Sequence, residues 1–136
     1  MSTTIPEAYY DLLSAPNFVT LVTLMPDGQP QASVLWSSFD GEHVVLNTAR
    51  GRQKDKNLAH DPRVTVIAYD RENPYRYIEI RGIAEDITNE GALEHINSLS
   101  LAYRGYEDYY KNMPQLRGVE QRMKFKVKPL HVVARG

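Results

Sequence analysis

The chain has 136 residues, 42% hydrophobic and 24% charged, with a formal net charge of −1. This length fits one domain over residues 1–136 with ordinary globular composition. The near-zero charge excludes a polycation field that would draw the whole molecule onto nucleic acid. The lack of cysteine excludes disulfides, thiolate zinc sites and cysteine nucleophiles.

Thr4-Ile5-Pro6-Glu7 predicts a helix start, with Thr4 as cap and Pro6 in the first turn, where a missing N–H leaves no bond unmade. Ala8, Tyr9, Leu12 and Leu13 share one face of this helix, and Pro16 ends it. The N-terminus shows no basic stretch followed by an apolar one, and no run approaches the roughly 18 apolar residues of a membrane span. A soluble, cytoplasmic protein that binds no membrane is expected.

Phe18 to Met25, rich in β-branched residues, predicts a strand, and Pro26-Asp27-Gly28 a turn. A second strand is expected over Gln29 to Phe39. Asp40-Gly41 signals a hairpin, and His43 to Thr48 forms the third strand of an antiparallel meander. Arg52 to His60 lacks a period of two and predicts a short helix stopped by Asp61-Pro62. Arg63 to Tyr69 and Tyr75 to Glu85 alternate as strands on either side of an Asn73-Pro74 turn. Thr88-Asn89-Glu90 offers a cap for an amphipathic helix carrying Ala92, Leu93, Ile96, Leu99 and Ala102. Tyr103 to Leu116 fits no regular element. A last strand runs from Met123 to Val133 with a break at Pro129.

The order α-β-β-β-α-β-β-α-β, with mostly short links, predicts a mainly β fold with flanking helices. Its six strands would close into an antiparallel barrel, because closure removes exposed edges. A parallel α/β sheet would need a crossover helix after nearly every strand, and these are missing.

Chemistry concentrates in Asn47-Thr48-Ala49-Arg50-Gly51-Arg52-Gln53-Lys54-Asp55-Lys56-Asn57-Leu58, where four cations and one acid lie between Arg50 and Lys56. They fall where a strand enters a helix, whose free N–H groups and dipole favour an anion. Phosphate binding is one reading of this run. A solvated basic helix is the other, and composition does not separate them. His43, His60, His95 and His131 lack short ligand spacing, so no metal site is expected. No nucleophile elbow surrounds Ser33, Ser37 or Ser38, and no Gly-rich dinucleotide or phosphate loop occurs. Tyr75 and Tyr77 share a strand face suited to stacking on a planar ring. Interleaved Arg and Tyr also suit single-stranded nucleic acid, but one short basic helix supplies too few phosphate contacts, so no nucleic-acid partner is expected. Tyr103, Tyr106, Tyr109 and Tyr110 read as core or interface packing.

Several stretches together resemble the pyridoxamine-phosphate-oxidase-like split β-barrel family, particularly its coenzyme F420-dependent (deazaflavin) oxidoreductase branch. They are Phe18-Val19-Thr20-Leu21-Val22-Thr23 with Pro26 to Gln31, Arg52 to Leu58 with Asp61-Pro62-Arg63-Val64, and Asn73-Pro74-Tyr75-Arg76-Tyr77 through Gly82. The resemblance implies a homodimer with cofactor sites along the subunit interface and hydride transfer between a reduced deazaflavin and a small organic substrate. Arg52, Lys54 and Lys56, with Asn57 beside them, would hold the phosphate or acidic tail. Asn47, Thr48, Gln31 and Ser33 would lie near the ring, and Tyr75 and Tyr77 would reach in from the partner. An FMN-dependent oxidoreductase of the same fold is the alternative, and a cofactor carrier without efficient turnover is a third reading. No residue is assigned as catalytic acid or base.

Overall fold

Period-two burial along the strands is what shapes this molecule, whose computed structural model describes residues 3–136. In chain order the described residues form α1 (Tyr10–Leu13), β1 (Val19–Leu24), β2 (Pro30–Leu35), β3 (Ser38–Phe39), β4 (Val44–Ala49) and α2 (Gln53–His60). Then come β5 (Arg63–Tyr69), β6 (Tyr77–Thr88), α3 (Ala92–Arg104) and β7 (Arg122–Arg135). Single 3₁₀ turns lie at Glu7–Tyr9 and Pro114–Leu116. The strands make one antiparallel sheet in the order β2-β1-β5-β6-β7-β4-β3. It curls around Leu21, Val66, Ile80, Leu46 and Phe125, each 1% exposed or less, as the inward half of alternating strands should be. Leu12, Leu13 and Ile5 close one side of this core and Leu58 of α2 belongs to it. The result is the mainly β split barrel expected from the sequence, with seven strands in place of six.

The seventh strand comes from breaking the predicted Gln29-to-Phe39 strand in two at Trp36 and Ser37. Tyr103 Oη accepts the Ser37 N–H at 3.0 Å and donates to the Asn17 carbonyl at 2.5 Å. With Ser37 bonded to a side chain, the ladder cannot run through it. The expected three-strand meander is therefore overturned: β2 pairs with β1 and β3 with β4, but β2 and β3 lie at opposite edges of the sheet. The predicted break at Pro129 is replaced by a bulge. Arg81 pairs with His131 and Gly82 with Pro129, leaving Leu130 as the extra residue. A Cβ on Gly82 would collide with the Lys128 carbonyl, so only glycine fits opposite the bulge.

The helix starts also differ from expectation. Pro6, not Thr4, stands at the first cap, and no side chain bonds there. Gly91, with φ of 74°, precedes α3, while Thr88 Oγ1 accepts the Glu90 N–H at 3.0 Å in the turn before it. Among the described residues no helix is long and apolar enough to cross a membrane.

Candidate functional site: a cationic and aromatic cleft

At the β4–α2 junction, Gly51 takes φ of 91°, and its N–H donates to the buried carboxylate of Asp55 at 2.8 Å. An acid on the first turn of α2 thus reaches back to fix the loop that carries Arg52, satisfying a backbone donor outside the helix. Arg50 faces this same Asp55 at 3.6 Å. Arg52, at the cap of α2, instead reaches across to Glu120, with Nη2 2.9 Å from Oε2. Glu120 Oε1 accepts from Arg122 Nη1 at 3.2 Å and from the Tyr110 hydroxyl at 2.9 Å. Arg122 is 4% exposed, and its Nε donates to Asn47 Oδ1 at 2.9 Å. Its guanidinium also lies 5.0 Å from the centroid of the Tyr109 ring.

Lys54 lines the same cleft as Arg52 and Arg122. Among the ion pairs of the described residues it takes part in none. Burial, reinforced by the neighbouring Arg52 and Arg122 charges, holds its ammonium pKa below the ordinary lysine value. Burial opposes ionisation of Glu120, but hydrogen bonds from Tyr110 and Arg52 and the charge of Arg122 outweigh it and hold the carboxyl below its usual range. Tyr110 is pushed up to about 12 by burial and by its bond to that carboxylate. Two arginines therefore share one ionised carboxylate beside a lysine that has no ion pair among the described residues, and the surplus is positive.

The cleft holds about 180 Å³ and is lined, besides these cations, by Trp36, Leu35, Phe18, Ile96, Leu99 and Tyr109. That volume lies below the ~300–1,000 Å³ range of small-molecule pockets, so this cleft alone does not enclose a whole cofactor. Trp36 stacks on Tyr103 at 5.3 Å with 17° between planes and meets Tyr109 edge-on at 6.0 Å. Arg104 lies 5.0 Å from the Trp36 ring and 5.2 Å from that of Tyr109, and its Nη2 donates to the Tyr109 carbonyl at 3.0 Å. No Asp, Glu or His lines the cleft. Its chemistry is to bind an anionic group at one end and a planar apolar body at the other.

The sequence-predicted residues separate into groups. Asn47, Arg52 and Lys54 come together in the cleft. Lys56 is exposed outside it. Asn57 is 1% exposed and turned inward, its Nδ2 donating to Thr23 Oγ1 at 3.0 Å and its Oδ1 accepting from Gln53 at 2.8 Å. Gln31 Oε1 accepts from that same Thr23 hydroxyl at 3.1 Å. The Ser33 and Thr48 hydroxyls are buried without a hydrogen-bond partner among the described residues. Tyr77 sits half-buried opposite Arg135, and Tyr75 is 86% exposed in the preceding loop, both outside the cleft lining.

Sequence reasoning missed Arg122, Glu120, Trp36 and the cleft-lining role of Tyr109. Arg122 alternates with Lys124, Lys126 and Lys128, which in sequence reads as a solvated strand face. The β4–β7 register, which sets Ala49 opposite Arg122 and Asn47 opposite Lys124, brings it beside Asn47. The structure also disposes of a serine nucleophile at Ser38. Arg122 Nε only donates and the Ala92 carbonyl only accepts, so Asn47 presents Oδ1 to the first and Nδ2 to the second, at 2.9 Å each. The second Nδ2 proton then points at His95 Nδ1, 3.0 Å away. His95 must carry its proton on Nε2 and give it to Ser38 Oγ at 2.9 Å, the wrong direction for a general base.

A curled antiparallel half-barrel with a cation-rimmed aromatic cleft at the β4–α2 junction defines a split-barrel protein. The family profile described as pyridoxamine 5'-phosphate oxidase matches residues 5–135, and the chain belongs to that family of flavin-binding oxidoreductases. Among solved structures, it is similar to an F420 reductase with 32% identity and a TM-score of 0.79, covering 95% of this chain and 98% of the other. It is also similar to a conserved hypothetical protein from Mycobacterium tuberculosis, with 27% identity and a TM-score of 0.74, covering 98% of this chain and 86% of that one. A curated pyridoxine/pyridoxamine 5'-phosphate oxidase from Kineococcus radiotolerans is 33% identical over 72 residues, which is 53% of this chain and 32% of that protein. The match thus spans about a third of the length of the curated relatives.

Proposed function

We propose that the cleft binds a phosphate-bearing flavin-type cofactor and that the protein is a coenzyme F420-dependent oxidoreductase acting on a small organic substrate. The observation that carries this reading is the gathering of Arg52, Lys54 and Arg122 in one aromatic cleft, where a single carboxylate pairs with the two arginines and Lys54 has no ion pair among the described residues. An anion placed there offsets the burial and the mutual repulsion that lower the Lys54 pKa. Arg52, Lys54 and Arg122 would hold the phosphate or acidic tail, and Asn47 would stand where the ring begins. When bound, a reduced deazaflavin supplies hydride chemistry. The chain itself binds, orients and excludes water, which suits a cleft lined by no Asp, Glu or His. The deazaflavin choice is supported by similarity to an F420 reductase over nearly the full length of both chains.

FMN is the second reading, and the charges favour it more than the sequence suggested. Arg50 is turned to Asp55, and Lys56 lies outside the cleft. Two uncompensated positive charges suit the dianion of a phosphate monoester such as FMN. The phosphate of F420 is a diester with a single charge, and its further carboxylates lie along the tail. The deciding experiment is a paired titration of the purified protein with F420 and FMN at low and high salt. Tighter F420 binding that weakens with salt supports the deazaflavin assignment. A clear preference for FMN replaces it with an FMN-dependent oxidoreductase.

A homodimer completes the proposal. Val34, Tyr69 and Phe18 line one surface depression beside β1 and β5, at 67%, 51% and 39% exposure. Tyr75 and Tyr77 would reach a partner's site from the loop and edge of β6. Light scattering should give twice the monomer mass at micromolar concentration, and a monomer there contradicts it.

A further inference from the structure

We propose that His95 is a positioning residue for the anion end of the cleft, acting through Asn47 on the Arg122 guanidinium. This rests on the reading of that end as a cofactor-phosphate site. His95 does not itself line the cofactor cleft. It lines a separate one further along the same face of β4, between the start of α3 and β7, with Ser38, Lys124 and Glu90. The hydrogen-bond chain passes between the two clefts: Ser38 Oγ to His95 Nε2 at 2.9 Å, His95 Nδ1 to Asn47 Nδ2 at 3.0 Å, and Asn47 Oδ1 to Arg122 Nε at 2.9 Å.

Each link is fixed by donor and acceptor count. Asn47 spends both amide protons, on Ala92 and His95, and offers its oxygen to Arg122. Without an acceptor at His95 Nδ1, one of those protons is orphaned in a buried site, and the amide has reason to rotate and withdraw Oδ1 from Arg122. Arg122 then keeps only one polar side-chain contact, to Glu120, and its fork is free to turn against the Tyr109 ring about that single bond. With both contacts in place, Nε and one edge of Nη1 are occupied, and the remaining N–H groups are free to meet a ligand in one orientation. The chain cannot relay protons, because the Asn47 amide neither gains nor loses one at ordinary pH. Burial of His95, helped by the charges of Lys124 and Arg122, keeps the ring neutral, as the acceptor role demands.

The test uses two ligand pairs that differ in the phosphate: F420 against the ribityl deazaflavin that lacks phosphate and tail, and FMN against riboflavin. His95→Leu removes the acceptor at similar volume, and His95→Asn restores an acceptor near the Nδ1 position. The expected result is about tenfold weaker binding of the phosphate-bearing member for His95→Leu. The phosphate-free member should be unchanged, and His95→Asn should recover to within about twofold. Adding His95→Leu to Asn47→Leu should cost nothing further, and Asn47→Leu alone reads the same link if His95→Leu does not fold. Equal loss for both members of a pair, or no loss for either, overturns the proposal. Arg122→Met serves as the separate control. If it leaves phosphate-bearing ligands unaffected, the phosphate reading of the cleft itself has failed. If it weakens them and His95→Leu does not, only the positioning role has failed.

Discussion

At the cationic end of the cleft, Arg122 is gripped by Asn47 and Glu120, and Glu120 in turn by Arg52 and Tyr110. At the aromatic end, Trp36 lies in the break between β2 and β3, and Tyr109 in a stretch without helix or strand. That wall is held by a few anchors: the Tyr103 hydroxyl on Ser37 and Asn17, the Tyr109 N–H on Asn97 Oδ1 at 2.9 Å, and Arg104 on the Tyr109 carbonyl. One end is a preorganised charge cradle on strands and a helix start. The other is an adaptable wall on connecting segments, where varied binding surfaces are commonly carried. The division implies that cationic changes strike the preference for phosphate-bearing ligands, while aromatic changes act alike on ligands with and without the phosphate.

Removing Arg122 should give the largest effect. Arg122→Met leaves Glu120 short of a charge partner and Asn47 Oδ1 unpaired. Stability should fall by about 3 kcal/mol in urea unfolding, and phosphate-bearing ligands should bind about a hundredfold more weakly. A variant as stable and as tight-binding as the parent removes the cradle from the account. Lys54→Ala and Arg52→Ala come next, each weakening the same ligands by about 1.5–3 kcal/mol in a direct titration. For Lys54→Ala stability should move by less than about 0.5 kcal/mol, since it gives up no ion pair.

Acid should loosen the cationic end through His95. Its folded-state pKa is about 4, depressed by burial and then by Lys124 and Arg122, against an ordinary value of 6.5. The unfolded chain therefore binds the extra proton first. Stability is full above pH 6.5 and declines as pH falls toward 4. By pH 5 the loss should reach about 2 kcal/mol, before most carboxylates begin to protonate. Urea midpoints measured from pH 7 to 5 should fall for the parent and stay flatter for His95→Leu, and parallel curves would contradict the assignment. The smallest effect belongs to the aromatic end. Tyr103→Phe frees the Ser37 and Asn17 backbone groups at a cost of about 1 kcal/mol in stability. The affinity ratio between FMN and riboflavin should stay within about twofold of the parent's, and a large change in that ratio would erase the distinction between the two ends.

Much of the fold was legible because its signals are local. β5 runs over Arg63–Tyr69 as the alternation of Val64, Val66 and Ala68 foretold, and α2 begins one residue inside its predicted start at Arg52. The basic run likewise delivered Arg52 and Lys54 to the cleft. What sequence could not show depends on distant partners. Tyr103 breaks the strand at Ser37 from 66 residues away, so the meander looked continuous. Arg122 meets Asn47 across 75 residues, through a β4–β7 pairing with no counterpart in local pattern. The Pro129 bulge depends on Gly82 across the ladder, and proline alone reads as a stop. Asn57 belonged to a cationic motif by position, but its amide serves the barrel interior through Thr23.

The central claim is that this chain recognises the phosphate of a flavin-type cofactor through Arg52, Lys54 and Arg122. The most direct measurement is calorimetric titration of the unaltered protein with F420 and, in parallel, with the ribityl deazaflavin that lacks phosphate and tail, repeated with FMN and riboflavin. At low salt, the phosphate-bearing member of at least one pair should bind about a hundredfold more tightly, corresponding to about 2.7 kcal/mol. The gap should narrow at high ionic strength. Equal affinities within both pairs, unchanged by salt, would contradict it.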